Sequence, residues 1–209
     1  MIYNSNEILA LETRFRANLI NSIGGFKSLN LIGTKSNQGN ENLALFSSFF
    51  HIGANPALCG IIIRPSEPTE NTLGNILSTK QFTINHLHPA MLKQAHQASA
   101  KYAPGFSEFK AVGLSPFYTN DIYAPFVAES NIKFACEFVQ KTSIELNNTT
   151  MIIAKIIKLM VPAEYIMPDG FIDLEAAETL TCSGLDSYHT TQKITRLNYA
   201  KTDQRVREI

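Results

Sequence analysis

TKSNQGNENLALFSSFF, residues 34–50, is the stretch on which the reading of this chain turns. Five residues rich in Asn and Gly, Ser36 to Asn40, separate two apolar runs: Leu29, Leu31 and Ile32 before, and Leu43, Leu45, Phe46, Phe49 and Phe50 after. Gly and Asn accept the positive φ angles of a tight connection, so the pattern predicts a β-hairpin. Its second arm is unusual for a plain strand. It sets Asn42, Ser47 and Ser48 among large hydrophobes, where amides and hydroxyls need hydrogen-bond partners if they are buried. Apolar walls with a few fixed polar groups are what a small-molecule pocket requires. The alternative is an ordinary strand whose polar residues face water, and composition by itself favours that.

Downstream, Leu58 to Ile63 is a nearly continuous apolar run, as in a buried barrel strand, and it ends at Arg64. In RPSEPTENTLGNI, residues 64–76, two prolines hold an extended loop, and Thr69 to Asn75 reads as the start of a helix. Arg64, Thr69, Asn71 and Thr72 bunch there. Free backbone N–H groups, hydroxyls and a guanidinium together make a phosphate cradle. The competing reading is simple N-capping by Thr69 or Thr72, with Arg64 in solvent.

Elsewhere the chain predicts an N-terminal helix through Phe15, Leu19, Ile20 and Ile23, capped by Thr13 or Ser5 and stopped at Gly24-Gly25. Strands are expected over 81–87, 131–140 and 151–160, the last two forming a hairpin about Asn147-Asn148. Pro89 opens a helix running to Ala100, and a short helix is expected over Asp173 to Leu180. Pro104 to Pro125 reads as irregular, the place for a lid or a substrate-side insertion. Charged residues dominate the tail from Lys193, which reads as an arm on a partner subunit or a frayed end.

Composition narrows function. Lys plus Arg and Asp plus Glu are 18 each over 209 residues, so the chain lacks the basic excess of a nucleic-acid or anionic-membrane surface. No low-complexity linker divides it, and one domain over 1–209 is expected. No apolar run reaches membrane-spanning length and no signal pattern opens the chain, which predicts a cytoplasmic protein. Cys59, Cys136 and Cys182 form no CxxC pair. Cys59 and Cys136 read as core residues, and Cys182 lies nearer a surface or pocket. His86, His88 and His96 invite a metal site, but no carboxylate or thiolate joins them at ligand spacing, so strand-end and helix-surface histidines are preferred and no metal is assigned. GxSxG, HExxH, Walker and GxGxxG motifs are absent from the sequence.

NENLALFSSFF (40–50) and NPALCGIIIRPSEPTENTLGNI (55–76) resemble the flavin reductase-like family of FMN-binding split barrels, in its flavoredoxin-related branch. HQASAKY (96–102), SEFKAVGL (107–114), APFVAES (124–130) and SGLDSY (183–188) follow in the family's order. Where relatives carry Arg-Pro before the first barrel strand, this chain has Phe26-Lys27-Ser28. The resemblance implies a mainly β, antiparallel Greek-key barrel with peripheral helices, forming a homodimer with FMN near the interface. It implies that Thr34, Asn42, Leu43, Ala44, Ser47, Ser48 and Phe49 surround the ring and ribityl chain. Arg64, Thr69, Asn71, Thr72, Ser99, Ala100 and Lys101 would then hold the phosphate end, although Lys101 also suits the negative end of a helix. NAD(P)H is the implied electron donor. Free flavin, a partner monooxygenase or another redox protein is the implied acceptor. A flavoredoxin-like electron carrier and a non-catalytic flavin-binding protein are the alternatives.

Overall fold

The computed structural model describes residues 1–65, 72–103 and 105–209. In chain order its elements are α1 (Ser5–Ala10), α2 (Thr13–Ser22), β1 (Lys27–Ser28), β2 (Asn30–Lys35), β3 (Glu41–Phe46), β4 (Phe50–Ala54) and β5 (Ala57–Ile63). Then come α3 (Thr72–Thr79), β6 (Gln81–His86), α4 (Leu92–Gln97), α5 (Glu108–Val112), β7 (Pro116–Thr119) and β8 (Ile122–Val127). The last four are β9 (Lys133–Ile144), β10 (Thr149–Met160), β11 (Thr181–Ser183) and β12 (Ser187–His189).

Seven strands form one antiparallel sheet in the order β3-β2-β6-β9-β10-β5-β4. The β2–β3 hairpin expected from the sequence is there, with Ile32 opposite Ala44 and Thr34 opposite Asn42. So is the β9–β10 hairpin, with Ile144 opposite Thr149 and Asn148 in a left-handed conformation at the turn. The sheet is curled. Cys59 on β5 and Cys136 on β9 touch at 3.6 Å between sulfurs although β10 runs between their strands. In a flat sheet two strand spacings would part them by roughly 9.5 Å. Ala154 of β10, paired with Cys59, is small enough to let the two thiols meet over it.

Alternation then splits the apolar residues into layers. Ile32, Ile61, Ile84, Phe134 and Ile152 fill the inside of the curl. Leu31 and Leu43 face outward, under Met91 and Ala95 near and in α4 and Phe109 of α5.

Several expectations are corrected. Residues 105–125 are not irregular: they carry α5 and the β7–β8 ribbon, whose Ile122, Ala124 and Phe126 pack on Ala135. Their prolines hid this, because Pro116 and Pro125 lie in a short two-stranded ribbon, where the missing N–H is tolerated. The second arm of the first hairpin ends at Phe46 and a new strand begins at Phe50, leaving Ser47 and Ser48 between them. The N-terminal helix is two helices, capped by the side chains of Asn4 and Glu12 rather than by Ser5 or Thr13. The helix after Pro89 stops at Gln97, short of Ala100. Residues 173–180 form turns, with Glu178 left-handed, not a helix.

Gly33 marks where the ribbon crosses the sheet. A Cβ there would lie 2.1 Å from the Pro125 carbonyl oxygen and 2.7 Å from Thr83 Oγ1, which itself donates to that carbonyl at 2.6 Å. Both neighbours are held in place. Gly33→Ala is expected to cost about 1–3 kcal/mol or more through overpacking, lowering Tm by roughly 2–12 °C. An unchanged Tm in a thermal melt would contradict the crossing.

Candidate functional site

Beside the curled sheet lies a cavity of about 860 Å3, toward the upper end of the roughly 300–1,000 Å3 usual for small-molecule sites. One wall is the end of β3 with the residues that follow, Leu43 to Ser48. Ser48 fixes this wall: its hydroxyl donates to the Ile62 carbonyl at 2.7 Å and accepts from the Ile62 N–H at 3.3 Å. That pair of hydrogen bonds from one side chain to β5 holds the chain where it turns between β3 and β4. Ile62, Ile63 and Arg64 line the cavity where β5 ends, and Thr72 and Leu73 of α3 stand beside them.

Arg64 reaches the rim and donates from Nη2 to Asn21 Oδ1 at 3.2 Å. No carboxylate pairs with it among the described residues. Thr72 is almost fully buried, and its hydroxyl accepts from Asn42 Nδ2 at 3.1 Å. Ser99 and Ala100 line the cavity after α4.

Other residues named from the sequence stand differently. Thr34 is fully buried behind β3 and braces Asn42 and Asn75, its Oγ1 accepting at 3.2 and 3.0 Å. Asn42 lines a small neighbouring cavity rather than this one. Phe49 packs edge-on to Phe134 in the barrel interior, 5.8 Å between centroids. Lys101 is exposed and does not line the cavity. Thr69 and Asn71 lie outside the described residues.

The remaining wall is formed by residues the sequence did not single out as ligands. β1, β11 and β12 make a small sheet in which Lys27 sits opposite Cys182 and Cys182 opposite Tyr188. All three line the cavity, with Asn21, Leu185 and His96. The Lys27 ammonium donates to the Gly184 carbonyl at 2.7 Å. Burial pushes the Cys182 thiol up, so it stays neutral. The three histidines have separate partners: His86 contacts Thr179 Oγ1, His88 the Glu129 carbonyl and His96 the Tyr188 hydroxyl. Burial lowers His86 to about 4, so its ring is neutral.

The flavin reductase like domain family matches residues 26–170. The chain belongs to the flavin reductase-like family. It is 48% identical to a candidate flavin reductase with a split barrel domain from Shewanella frigidimarina NCIMB 400, over 96% of this chain and 100% of that one, with a TM-score of 0.91. Its fold is also that of nitrilotriacetate monooxygenase component B from Bacillus cereus, at 18% identity, 94% and 98% coverage and a TM-score of 0.83. Flavoredoxin of Desulfovibrio vulgaris (Miyazaki F) aligns at 18% identity, 86% and 92% coverage and a TM-score of 0.71. An uncharacterized Aquifex aeolicus protein is 27% identical over 108 residues, 51% of this chain and 55% of that protein, so the match spans about half of that relative's length. The split barrel expected from the sequence is therefore the fold of this family.

For a flavin reductase-like protein the donor set fits FMN. An apolar strand edge from Leu43 to Phe46 suits a flat ring, and a guanidinium with no carboxylate partner among the described residues, lining the same cavity as a threonine, suits a phosphate. The same cavity holds Glu108 of α5, half-buried, whose Oε2 accepts from the Leu43 N–H at 2.9 Å. Burial raises its carboxyl above the ordinary 4.5, more than the Leu43 bond lowers it. The folded chain thus keeps a proton that the unfolded chain releases, and stability falls as pH rises from about 4.5 upward. Gln keeps the acceptor without the charge. Glu108→Gln is expected to be at least as stable as wild type at neutral pH, with any gain vanishing near about pH 4. A variant less stable at neutral pH, by denaturant titration, would contradict the buried charge.

Proposed function

We propose that this chain is an FMN-dependent oxidoreductase of one domain that takes electrons from NAD(P)H and passes them to free flavin, a partner monooxygenase or another acceptor. The observation that supports it most is Arg64, which lines the same cavity as Thr72 and has no paired carboxylate among the described residues. FMN, when bound, would supply the hydride chemistry that such a fold orients but does not itself contain. Arg64 and Thr72, with Ser99 nearby, would hold the phosphate. Leu43 and Ala44 would pack on the ring, and Ser47 would present its hydroxyl to the ribityl chain or the ring edge. Ser48 would keep this wall fixed against β5.

A homodimer suits the exposed apolar residues of α1 and α2. Neither helix buries a residue, while Leu9, Phe15 and Ile20 face outward, as does Ile23 just beyond α2. No helix among the described residues is long and apolar enough to cross a membrane. Three free thiols accord with a reducing compartment, the cytoplasm.

The test is affinity for FMN against riboflavin, which lacks the phosphate. Arg64→Ala should remove a charge-assisted bond of about 1.5–3 kcal/mol, weakening FMN roughly ten- to more than a hundredfold and leaving riboflavin nearly unaffected. Arg64→Lys should recover only part, since it keeps the charge without the planar fork. Equal FMN binding by Arg64→Ala and wild type would remove the phosphate assignment. Stopped-flow mixing of the FMN-loaded protein with NADH and NADPH reads the donor. Bleaching by neither would make the protein an electron carrier.

A further inference from the structure

Glu108 lines two cavities at once. One is the large cavity described above, and the other is a neighbouring space of about 60 Å3 walled by Ser36, Asn40, Glu41, Asn42 and Asn75. That small cavity is polar and has room for a few water molecules. β3 is an edge strand of the sheet, and the Leu43 N–H that points off this edge is the one Glu108 holds at 2.9 Å. Leu43 belongs to the wall on which the ring of FMN would pack. A carboxylate thus stands one hydrogen bond from the bed of the cofactor and also borders a water-sized polar space.

No salt bridge reaches Glu108 among the described residues. The other ionisable residues around it are Glu41 and Tyr102 in the small cavity, and Lys27, Arg64, His96, Cys182 and Tyr188 in the large one. On the helices that meet here, Lys93 of α4 and Lys110 of α5 are exposed. Burial is what raises this carboxyl, and the N–H groups of Leu43 and of Glu108 itself pull it the other way.

A charge in a cavity wall acts on a ligand without touching it. Two like charges within about 8 Å of each other repel strongly enough to shift an equilibrium about tenfold or more. Reduction by hydride adds two electrons and one proton to a neutral ring, which leaves one net negative charge in the cavity. That charge makes a neighbouring carboxylate hold its proton more tightly. We propose that Glu108 couples the reduction of bound FMN to the uptake of a proton: charged beside oxidised FMN, it becomes neutral beside reduced FMN.

The proposal rests on the flavin reading above. NAD(P)H gives its hydride to bound FMN and leaves as NAD(P)+. The Glu108 carboxylate takes one proton from solvent through the small cavity, so two electrons and two protons enter in all. When the electron pair passes to the acceptor, the carboxyl returns its proton by the same route. Glu108 is a tuning residue in this account and acts by its charge.

The experiment measures the two-electron potential of FMN bound to wild type and to Glu108→Gln from about pH 5 to 8, against a reference dye. Gln keeps an acceptor for the Leu43 N–H and removes the charge. At about pH 8, Glu108→Gln is expected to favour reduced over oxidised FMN about tenfold more than wild type does. That is a potential about 30 mV higher. The gap should narrow to about twofold near pH 5, as wild-type Glu108 takes up its proton before reduction. Histidine ordinarily titrates in this range. The comparison is therefore repeated in a His96→Gln background, where the gap and its narrowing should persist.

A gap below about twofold at pH 8 would overturn the proposal. So would a gap that stays constant between the two pH values, or a narrowing that disappears with His96. Protein that takes up no FMN would overturn the flavin reading and this proposal with it. FMN bound with equal potentials in the two proteins would strike this proposal alone.

Discussion

Cys59 and Cys136 meet inside the sheet although a whole strand runs between theirs, and they can do so only because the sheet bends there. That bend is what the rest of the molecule is built on. It gives β2, β5, β6, β9 and β10 a common interior of branched and aromatic side chains. It also leaves the outward face of β2 and β3 to be covered by α4, α5 and the segments beside them. The cavity sits beside β3, where Ser48 pins the turn to β5 and where the short β1-β11-β12 sheet closes the other side.

The site therefore mixes two kinds of support. The barrel-side wall, Leu43 to Ser48 with Ile62 to Arg64, is carried by β3, an edge strand paired to β2, by β5, paired on both sides, and by the Ser48 side chain bonded to the β5 backbone. The opposite wall rests on strands of two or three residues, held by the Lys27 ammonium on the Gly184 carbonyl and by Tyr188 against His96.

Much of the barrel was legible in the chain. The Ser36–Asn40 turn between apolar runs, the continuous Leu58–Ile63 run and the apolar patterns of β9 and β10 are local signals, and each became a strand pair. What stayed hidden was short or distant. β1 has two residues and β11 and β12 three each, too few for any period to show, and Lys27 meets Cys182 only after most of the chain has intervened. Prolines concealed the β7–β8 ribbon by making strands look like loop. Glu108 and Tyr188 lay in segments whose resemblance to the family was visible, but nothing in their spacing announced a cavity. Thr34 and Phe49 sit beside cavity residues in sequence, yet Thr34 is buried behind β3 and Phe49, in the link between β3 and β4, packs on Phe134 in the barrel interior.

A crystal structure of the protein with FMN bound tests the central claim most directly. The account predicts the phosphate within hydrogen-bond distance of Arg64 and Thr72, with the ring against Leu43 to Phe46. A flavin seated elsewhere, or one in this cavity with its phosphate turned away from Arg64, would contradict it.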